Sequence, residues 1–333
     1  MTQSLSLGKI HCFQQLTNEL NVFAMAAFDH RDAFVASLSQ TLGVAETPWE
    51  TVAAEKIRIA KALAPHASAV LVDPLYSAGP VLAEGVLPKG VGFAVAREKS
   101  SYGSAAMRET TELLDGWSVE AIRRMGGAGV KLLLHYHPDA PNAAAQEDVV
   151  RQVAAECDTY EIPLMLEPIC YPLDPNQKKS DPAFAAQRPE LVLESARRLV
   201  PLGVDILKAE FPTDANYETD EAKMVDYCRS LSEISGDVPW VILSAGVNFA
   251  TFQRQVEIAC KAGASGFVAG RAIWNEALDM AGASARDRFL TTIAVSRLRV
   301  LADTANYRAT PWPVRVGKRI PRLSEGWYVE YNR

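Results

Sequence analysis

Apolar positions along this chain gather into eight short, near-continuous runs: residues 21–29, 67–74, 90–96, 129–136, 163–171, 204–212, 239–246 and 266–274. Runs of this kind are expected of strands that are dry on both faces, as in a parallel sheet. Between them the apolar spacing turns helical. Helices are predicted from 32 to about 42, over 49–64 (Val52, Ile57, Ala60 and Leu63 share a face), over 117–125 with Gly126-Gly127 as the stop, and over 142–160. Further helices are predicted from Pro189 to about 200, over 220–235, over 248–262 with Asn248 as the capping residue, and over about 284–303. The remaining stretches are a polar helical lead-in (1–20), a short apolar segment (81–87), a polar loop (97–116), a Pro-, Lys- and Asp-rich loop long enough to suggest a function (172–188), and an ordered surface strap (307–333).

Eight strands alternating with helices in 333 residues predict one domain, a (β/α)8 barrel with decorated loops and a C-terminal extension. The competing architecture is a doubly wound open sheet. That fold usually carries a glycine-rich phosphate loop after its first strand, and Asp29-His30-Arg31 is nothing like one. No domain boundary and no repeat beyond the strand–helix alternation is visible.

Composition narrows the function. The formal net charge of −6 argues against a general nucleic-acid partner. It leaves an anionic small substrate open, because a site can be locally basic. The five cysteines are scattered, with no CxxC pair, which predicts reduced thiols in a cytoplasmic protein. Cys170 reads as a buried, inert thiol. The first ten residues lack a signal-peptide pattern, and no apolar run is long enough to span a bilayer.

The sixth run holds the most informative residue, Lys208. An ammonium inside an apolar strand needs a partner or a lowered pKa, because removing a charge from water costs several kcal/mol. A free amine attacks carbonyls, so Lys208 is a candidate Schiff-base lysine. The plain alternative is a lysine whose stem packs inside while its ammonium reaches out past the strand end.

Barrel enzymes react at the carboxyl ends of their strands. There the sequence offers Asp29, Lys131, Glu167, Lys208, Glu210, Ser244 and Arg271, from runs one, four, five, six, six, seven and eight. Runs four to six are neighbours in a barrel, so Lys131, Glu167 and Lys208 are expected to converge. A second cation favours the neutral form of Lys208, and a carboxylate can carry protons. Lys131 and Glu167 could equally be a simple inter-strand ion pair. Asp73 and Asp205 read as strand-end caps or salt-bridge partners, and Glu210 receives no role. Ser244-Ala245-Gly246 and Ala269-Gly270-Arg271 end adjacent strands with small residues, where many barrels hold a phosphate. Glycine lets backbone N–H groups approach the anion, and arginine pairs with its oxygens.

Ala27-Phe28-Asp29-His30-Arg31, Gly129-Val130-Lys131-Leu132-Leu133, Leu166-Glu167, Val204-Asp205-Ile206-Leu207-Lys208, Leu243-Ser244-Ala245-Gly246-Val247 and Gly270-Arg271-Ala272-Ile273-Trp274 together resemble the class I tagatose-1,6-bisphosphate aldolases. The related sulfofructose-phosphate aldolases share much of the pattern. The match runs from about residue 15 to Thr310-Pro311-Trp312. The resemblance implies a Schiff-base aldolase with no metal or other cofactor, acting on a small sugar phosphate as a dimer or higher homo-oligomer. It implies Lys208 as the imine-forming lysine, Glu167 as the proton-shuttling carboxylate, Lys131 as an auxiliary amine and Asp29 as the first-strand acid. Ser244, Gly246, Gly270 and Arg271 then fall where the family binds the phosphate of the ketone half, and His30 and Arg31 are further substrate-binding candidates.

The chain also departs from that family. His30 stands where glutamine is usual, Asp32 where a small residue is common, and His135 and His137 where tyrosine and aspartate are typical. These changes cluster where the far end of a substrate would lie, and leave that end open as phosphate, sulfonate or uncharged. A sugar-phosphate sensor without turnover is the reading from another class. The histidines and acids also raise a metal-dependent barrel, but no His/Asp/Glu set shows ligand spacing.

Overall fold

The structure, a computed structural model, describes residues 4–99 and 109–331. The apolar runs become β1 (Phe23–Ala27), β2 (Ala69–Val72), β3 (Gly92–Ala96), β4 (Gly129–Tyr136), β5 (Leu164–Cys170), β6 (Ile206–Ala209), β7 (Trp240–Leu243) and β8 (Gly266–Ala269). They pair in parallel and in sequential order, and β8 closes on β1, so the sheet is a closed eight-stranded barrel with helices between its strands. Closure is tight at Gly266, where φ is +136° and an added Cβ would lie 1.9 Å from the Phe23 carbonyl oxygen. Only glycine fits there. The doubly wound alternative is excluded by this closure.

β4 and β5 share the longest register, from Val130↔Leu164 to Tyr136↔Cys170. Their strand residues are buried throughout except Leu133 and Ile169, which are half-buried. Both of these line the cavity at the barrel mouth. At the opposite end, the helix Leu7–Leu16 packs below the strands. Its Lys9 pairs with Asp205, just before β6, at 2.7 Å, and Asp205 also accepts from the Leu164 N–H. Phe13 of the same helix stacks on Trp312 with ring centroids 4.8 Å apart, tying the lead-in to the C-terminal extension.

Element ends differ from the sequence reading in four places. The apolar stretch of residues 266–274 breaks at Gly270 into β8 and a helix, Arg271–Leu278. The helix expected from Pro189 begins at Pro182 and carries Pro189 inside it. Residues 81–87 belong largely to a short helix, Ala78–Ala83. The last long helix is interrupted by a π turn, Leu290–Ala294, and continues to Arg308. Of the expected 97–116 loop, Glu98 bridges to Leu113, and residues 100–108 lie outside the described residues, as do 1–3 and 332–333 at the ends. The strap contains short helices at Trp312–Val316 and Trp327–Tyr331. Among the described residues no helix is long and apolar enough to cross a membrane.

Candidate active site

Lys208, near the end of β6, is 4% exposed and its ammonium lies 2.8 Å from Glu167 Oε2 on β5. Lys131, on β4, approaches the same oxygen at 3.1 Å. Neither contact has hydrogen-bond angles: Glu167 Oε2 is buried without a directed donor. Glu167 is therefore held by charge, and can aim an oxygen at a substrate hydroxyl without first breaking a directed bond there.

Lys131 is also 2.9 Å from Asp29 Oδ2 and 2.8 Å from Glu98 Oε1. Three carboxylates thus gather around an ammonium nitrogen. Glu98 in turn accepts from Leu133 N–H at 3.1 Å and from the Arg31 guanidinium at 2.8 Å. Arg31 also donates to the Glu98 carbonyl at 2.6 Å. The formal charges balance: Lys208, Lys131 and Arg31 against Glu167, Asp29 and Glu98. Such balance is what makes a buried charged cluster tolerable. Burial pushes the Asp29 carboxyl up, but the Lys131 and Lys208 ammonium groups outweigh it and hold the group below the usual carboxylate range.

These residues border a cavity of about 260 Å³ at the carboxyl ends of the strands. Lys208, Glu167, His30, His135, Lys179, Glu210, Ser244, Gly270 and Arg271 line it, with Leu133, Ile169, Leu243 and Val268 as apolar wall. Lys131, Asp29, Glu98 and Arg31 are not among the lining residues, and Lys131 joins them to the cavity through its contact with Glu167. Arg31, expected among the substrate-binding residues, is 2% exposed, donates to Glu98 and does not line this cavity. A wider cleft of about 420 Å³ adjoins beyond Lys179, Glu210, Leu243 and Ala245, but Lys208 does not reach it.

One end of the cavity is shaped for an anion. After β7, Ala245 and Gly246 both have positive φ (47° and 79°) and turn the backbone beneath Arg271. A Cβ on Gly246 would sit 3.2 Å from the Arg271 guanidinium carbon. Gly270 carries the chain between His30 and the Ala27 carbonyl, where a Cβ would meet His30 Cε1 at 2.9 Å. Its N–H points to Ser244 Oγ at 3.4 Å. Arg271 opens a helix, and its Nε is buried with no partner. Among the described residues no carboxylate pairs with it. An unpaired guanidinium, a helix start and glycine turns in one corner suit a phosphate.

The loop after β1 is held by Lys56, which was not anticipated. This fully buried ammonium pairs with Asp73 at 2.5 Å and donates to the carbonyls of Phe28 (2.8 Å) and His30 (2.6 Å). His30 packs edge-on to Trp274, and burial, with Arg271 and Lys208 nearby, pushes its pKa down to about 3. Burial and Lys179 push His135 down to about 4. Both rings are neutral at pH 7. His137 faces Tyr171 and does not line the cavity. Glu210 accepts from Cys170 N–H at 2.7 Å and from Lys179 and Arg188 at 3.3 Å each.

Glu98, Lys56, Lys179 and Arg188 escaped the sequence reading. Glu98 had a usable signal: it lies two residues past β3, as Asp29 lies two residues past β1. Lys179 sits in the loop already suspected of function.

A closed barrel with a buried lysine–carboxylate pair at its mouth, next to an anion corner, is the architecture of a barrel aldolase. The pattern of the DeoC/LacD family aldolases matches residues 23–276, and the chain belongs to that family, which makes it an aldehyde-lyase. Curated relatives include tagatose 1,6-diphosphate aldolase 2 of Streptococcus agalactiae, 28% identical over 91% of this chain and 97% of that protein. The tagatose 1,6-diphosphate aldolase of Listeria monocytogenes is 27% identical over 94% of this chain and 96% of its own length. Among solved structures, an archaeal fructose 1,6-bisphosphate aldolase superposes with a TM-score of 0.59 at 16% identity, covering 90% of this chain and 99% of its own. A fructose-bisphosphate aldolase from Slackia heliotrinireducens gives 0.61 at 17% identity, covering 96% and 92%. These structural likenesses speak to the fold.

Proposed function

We propose that the protein is a class I aldolase that cleaves a phosphorylated ketose, resembling tagatose 1,6-bisphosphate, into dihydroxyacetone phosphate and an aldehyde through an iminium on Lys208. The observation that carries this is the Lys208 ammonium 2.8 Å from Glu167 on the wall of the mouth cavity. The names of the curated relatives support the substrate class.

The chemistry runs as follows. Lys208 passes a proton to Glu167 and attacks the ketone at C2; Glu167 returns that proton to the carbinolamine oxygen, which leaves as water to give the iminium and a free Glu167 carboxylate. Glu167 takes the proton of the C4 hydroxyl, the C3–C4 bond breaks, and its electron pair moves into the enamine as the aldehyde leaves. The enamine is reprotonated at C3, and a water returns to release dihydroxyacetone phosphate and restore the amine. Lys131, fixed by Asp29 and Glu98, sits 3.1 Å from Glu167 and so fixes where that carboxylate stands beside Lys208. Arg271, Ser244 and the turns at Gly246 and Gly270 hold the C1 phosphate, and His30 flanks it.

Support for a cytoplasmic setting comes from Cys12, Cys157, Cys170, Cys228 and Cys260, all unpaired and buried. The family resemblance supports a homo-oligomer, which size-exclusion chromatography with light scattering tests. The function is tested by triose phosphate release from a panel of ketose phosphates. Wild type should release dihydroxyacetone phosphate, and release at an undiminished rate by Lys208→Met would remove the imine route.

A further inference from the structure

Resting on that aldolase reading, we propose that the cleft beyond Lys179 and Glu210 is a subsite for the hydroxyl-bearing chain of the aldehyde half, so that the enzyme works on ketose 1-phosphates longer than six carbons.

The cleft, about 420 Å³, is larger than the cavity that holds Lys208, and the two share Lys179, Glu210, Leu243 and Ala245. It is built from the segments that follow β5, β6 and β7, and β7 lies four strands round the closed barrel from β3. Cross-links fix its walls. Arg188 donates to the Phe211 carbonyl at 3.2 Å, and the Tyr217 hydroxyl donates to the Ser180 carbonyl at 2.7 Å. Along one side runs the helix Phe249–Lys261, capped by Asn248, whose Oδ1 accepts from the Thr251 N–H at 2.9 Å. Asn248, Thr251 and Gln255 are spaced three and four apart, so they share a face, and all three line the cleft.

Two polar side chains of this lining are buried without a partner. Gln255 is 7% exposed, and its amide makes no hydrogen bond among the described residues. Thr213, in the segment after β6, is 3% exposed, and among the described residues its Oγ1 has no partner either. Buried polar groups are nearly always hydrogen-bonded, so two exceptions in one cleft mark positions that a ligand completes. A carboxamide and a hydroxyl each donate and accept, which is what sugar hydroxyls require of a partner. Walls already fixed by cross-links lose less freedom when such a ligand binds.

The bond that breaks decides which part of the substrate enters. With the C1 phosphate at Arg271 and C2 on Lys208, the C4 hydroxyl stands at Glu167 on β5, and the chain beyond C4 belongs to the aldehyde. Lys179, after β5, and Glu210, after β6, border both spaces. A three-carbon aldehyde stops near that border and leaves the cleft to water. A longer one places hydroxyls against Thr213 and Gln255.

The test runs the reaction towards synthesis, with dihydroxyacetone phosphate and D-glyceraldehyde, D-erythrose, D-ribose or L-arabinose, and compares kcat/KM per free aldehyde. At least one four- or five-carbon aldehyde should exceed glyceraldehyde by about tenfold or more, and a panel in which none does overturns the proposal. Gln255→Leu and Thr213→Val nearly keep side-chain volume. Each should cost the longer aldehyde about fivefold or more while glyceraldehyde stays within about twofold. Equal losses on both aldehydes, or no loss, overturn the cleft as the subsite. Thr213→Val should also melt no lower than the wild type, because its hydroxyl has no partner to lose. A lower Tm would make that hydroxyl structural and remove it from the subsite. Borohydride reduction with dihydroxyacetone phosphate separates the two levels of argument. A Lys208 adduct with glyceraldehyde as the best acceptor sinks this inference alone, whereas no adduct and no addition to any aldehyde sinks the aldolase reading with it.

Discussion

Replacing Arg271 by alanine isolates the anion corner. The guanidinium pairs with no carboxylate among the described residues, and its Nε is buried without a partner. Removing it therefore orphans nothing in the free protein, and Tm should hold within about 2 °C. In the complex, two charge-assisted hydrogen bonds to phosphate are lost. Each is worth about 1.5–3 kcal/mol, and partial exposure of the corner brings the pair to about 3–4 kcal/mol. At about 1.4 kcal/mol per factor of ten, KM for a ketose 1-phosphate should rise on the order of 10²- to 10³-fold. The matching unphosphorylated ketose should lose less than about threefold, since its kcat/KM never used the guanidinium. Arg271→Lys keeps a point charge without the fork and should fall between. Initial rates followed by NADH-linked reduction of the triose phosphate give the numbers for the phosphorylated ketose, and chromatographic release of dihydroxyacetone gives the number for the plain one. A KM rise under about fivefold, or equal losses on phosphorylated and plain sugars, would refute the assignment.

Glu167→Gln should still form the imine with dihydroxyacetone phosphate but turn over about 10²- to 10⁴-fold more slowly, the usual share of a positioned acid–base group, and wild-type turnover would remove it from the mechanism. Glu98→Ala removes the buried carboxylate that Arg31 and Lys131 share, which costs about 3–5 kcal/mol and should lower Tm by roughly 5 °C; an unchanged melting curve would contradict the described network. Acid stability has a defined window. His30 and His135 drop from 6.5 in the unfolded chain to about 3 and about 4 in the fold, so the unfolded state binds more protons below pH 6.5. Stability should fall as pH drops from about 6.5 towards 4, by up to about 1.4 kcal/mol per pH unit for each ring. Asp29 and Glu210, both held below the usual range, keep their contribution above the unfolded carboxylate pKa and lose it only at lower pH. Chemical denaturation of His135→Asn across that window should show a shallower slope, and an unaltered slope would reject its buried neutral state.

The barrel was legible because strands dry on both faces leave near-continuous apolar runs, and eight of them admit few architectures. Their ends were less legible. An apolar run does not stop where hydrogen bonding changes, so residues 266–274 hid the break at Gly270 that aims Arg271 into the cavity. Pro182 and Pro189 both fit the start of a helix, and only the chain geometry shows that the second lies within one. In the site, Lys131, Glu167 and Lys208 come together as neighbouring strands require. What the sequence hid were residues outside apolar runs. Glu98 falls in a polar stretch and acquires meaning only once β3 places it beside Lys131. Lys56 looks like an ordinary helix lysine until its ammonium is found 2.5 Å from Asp73. Arg31, a substrate-binding candidate from the first-strand motif, donates to Glu98 and is not among the residues that line the cavity.

The most direct measurement is borohydride reduction of the protein mixed with dihydroxyacetone phosphate, followed by digestion and mass analysis of the lysine peptides. The account predicts a single stoichiometric adduct on Lys208, present in Glu167→Gln and absent in Lys208→Met. An adduct on Lys131 in its place, or cleavage activity that proceeds with no reducible adduct, would contradict it.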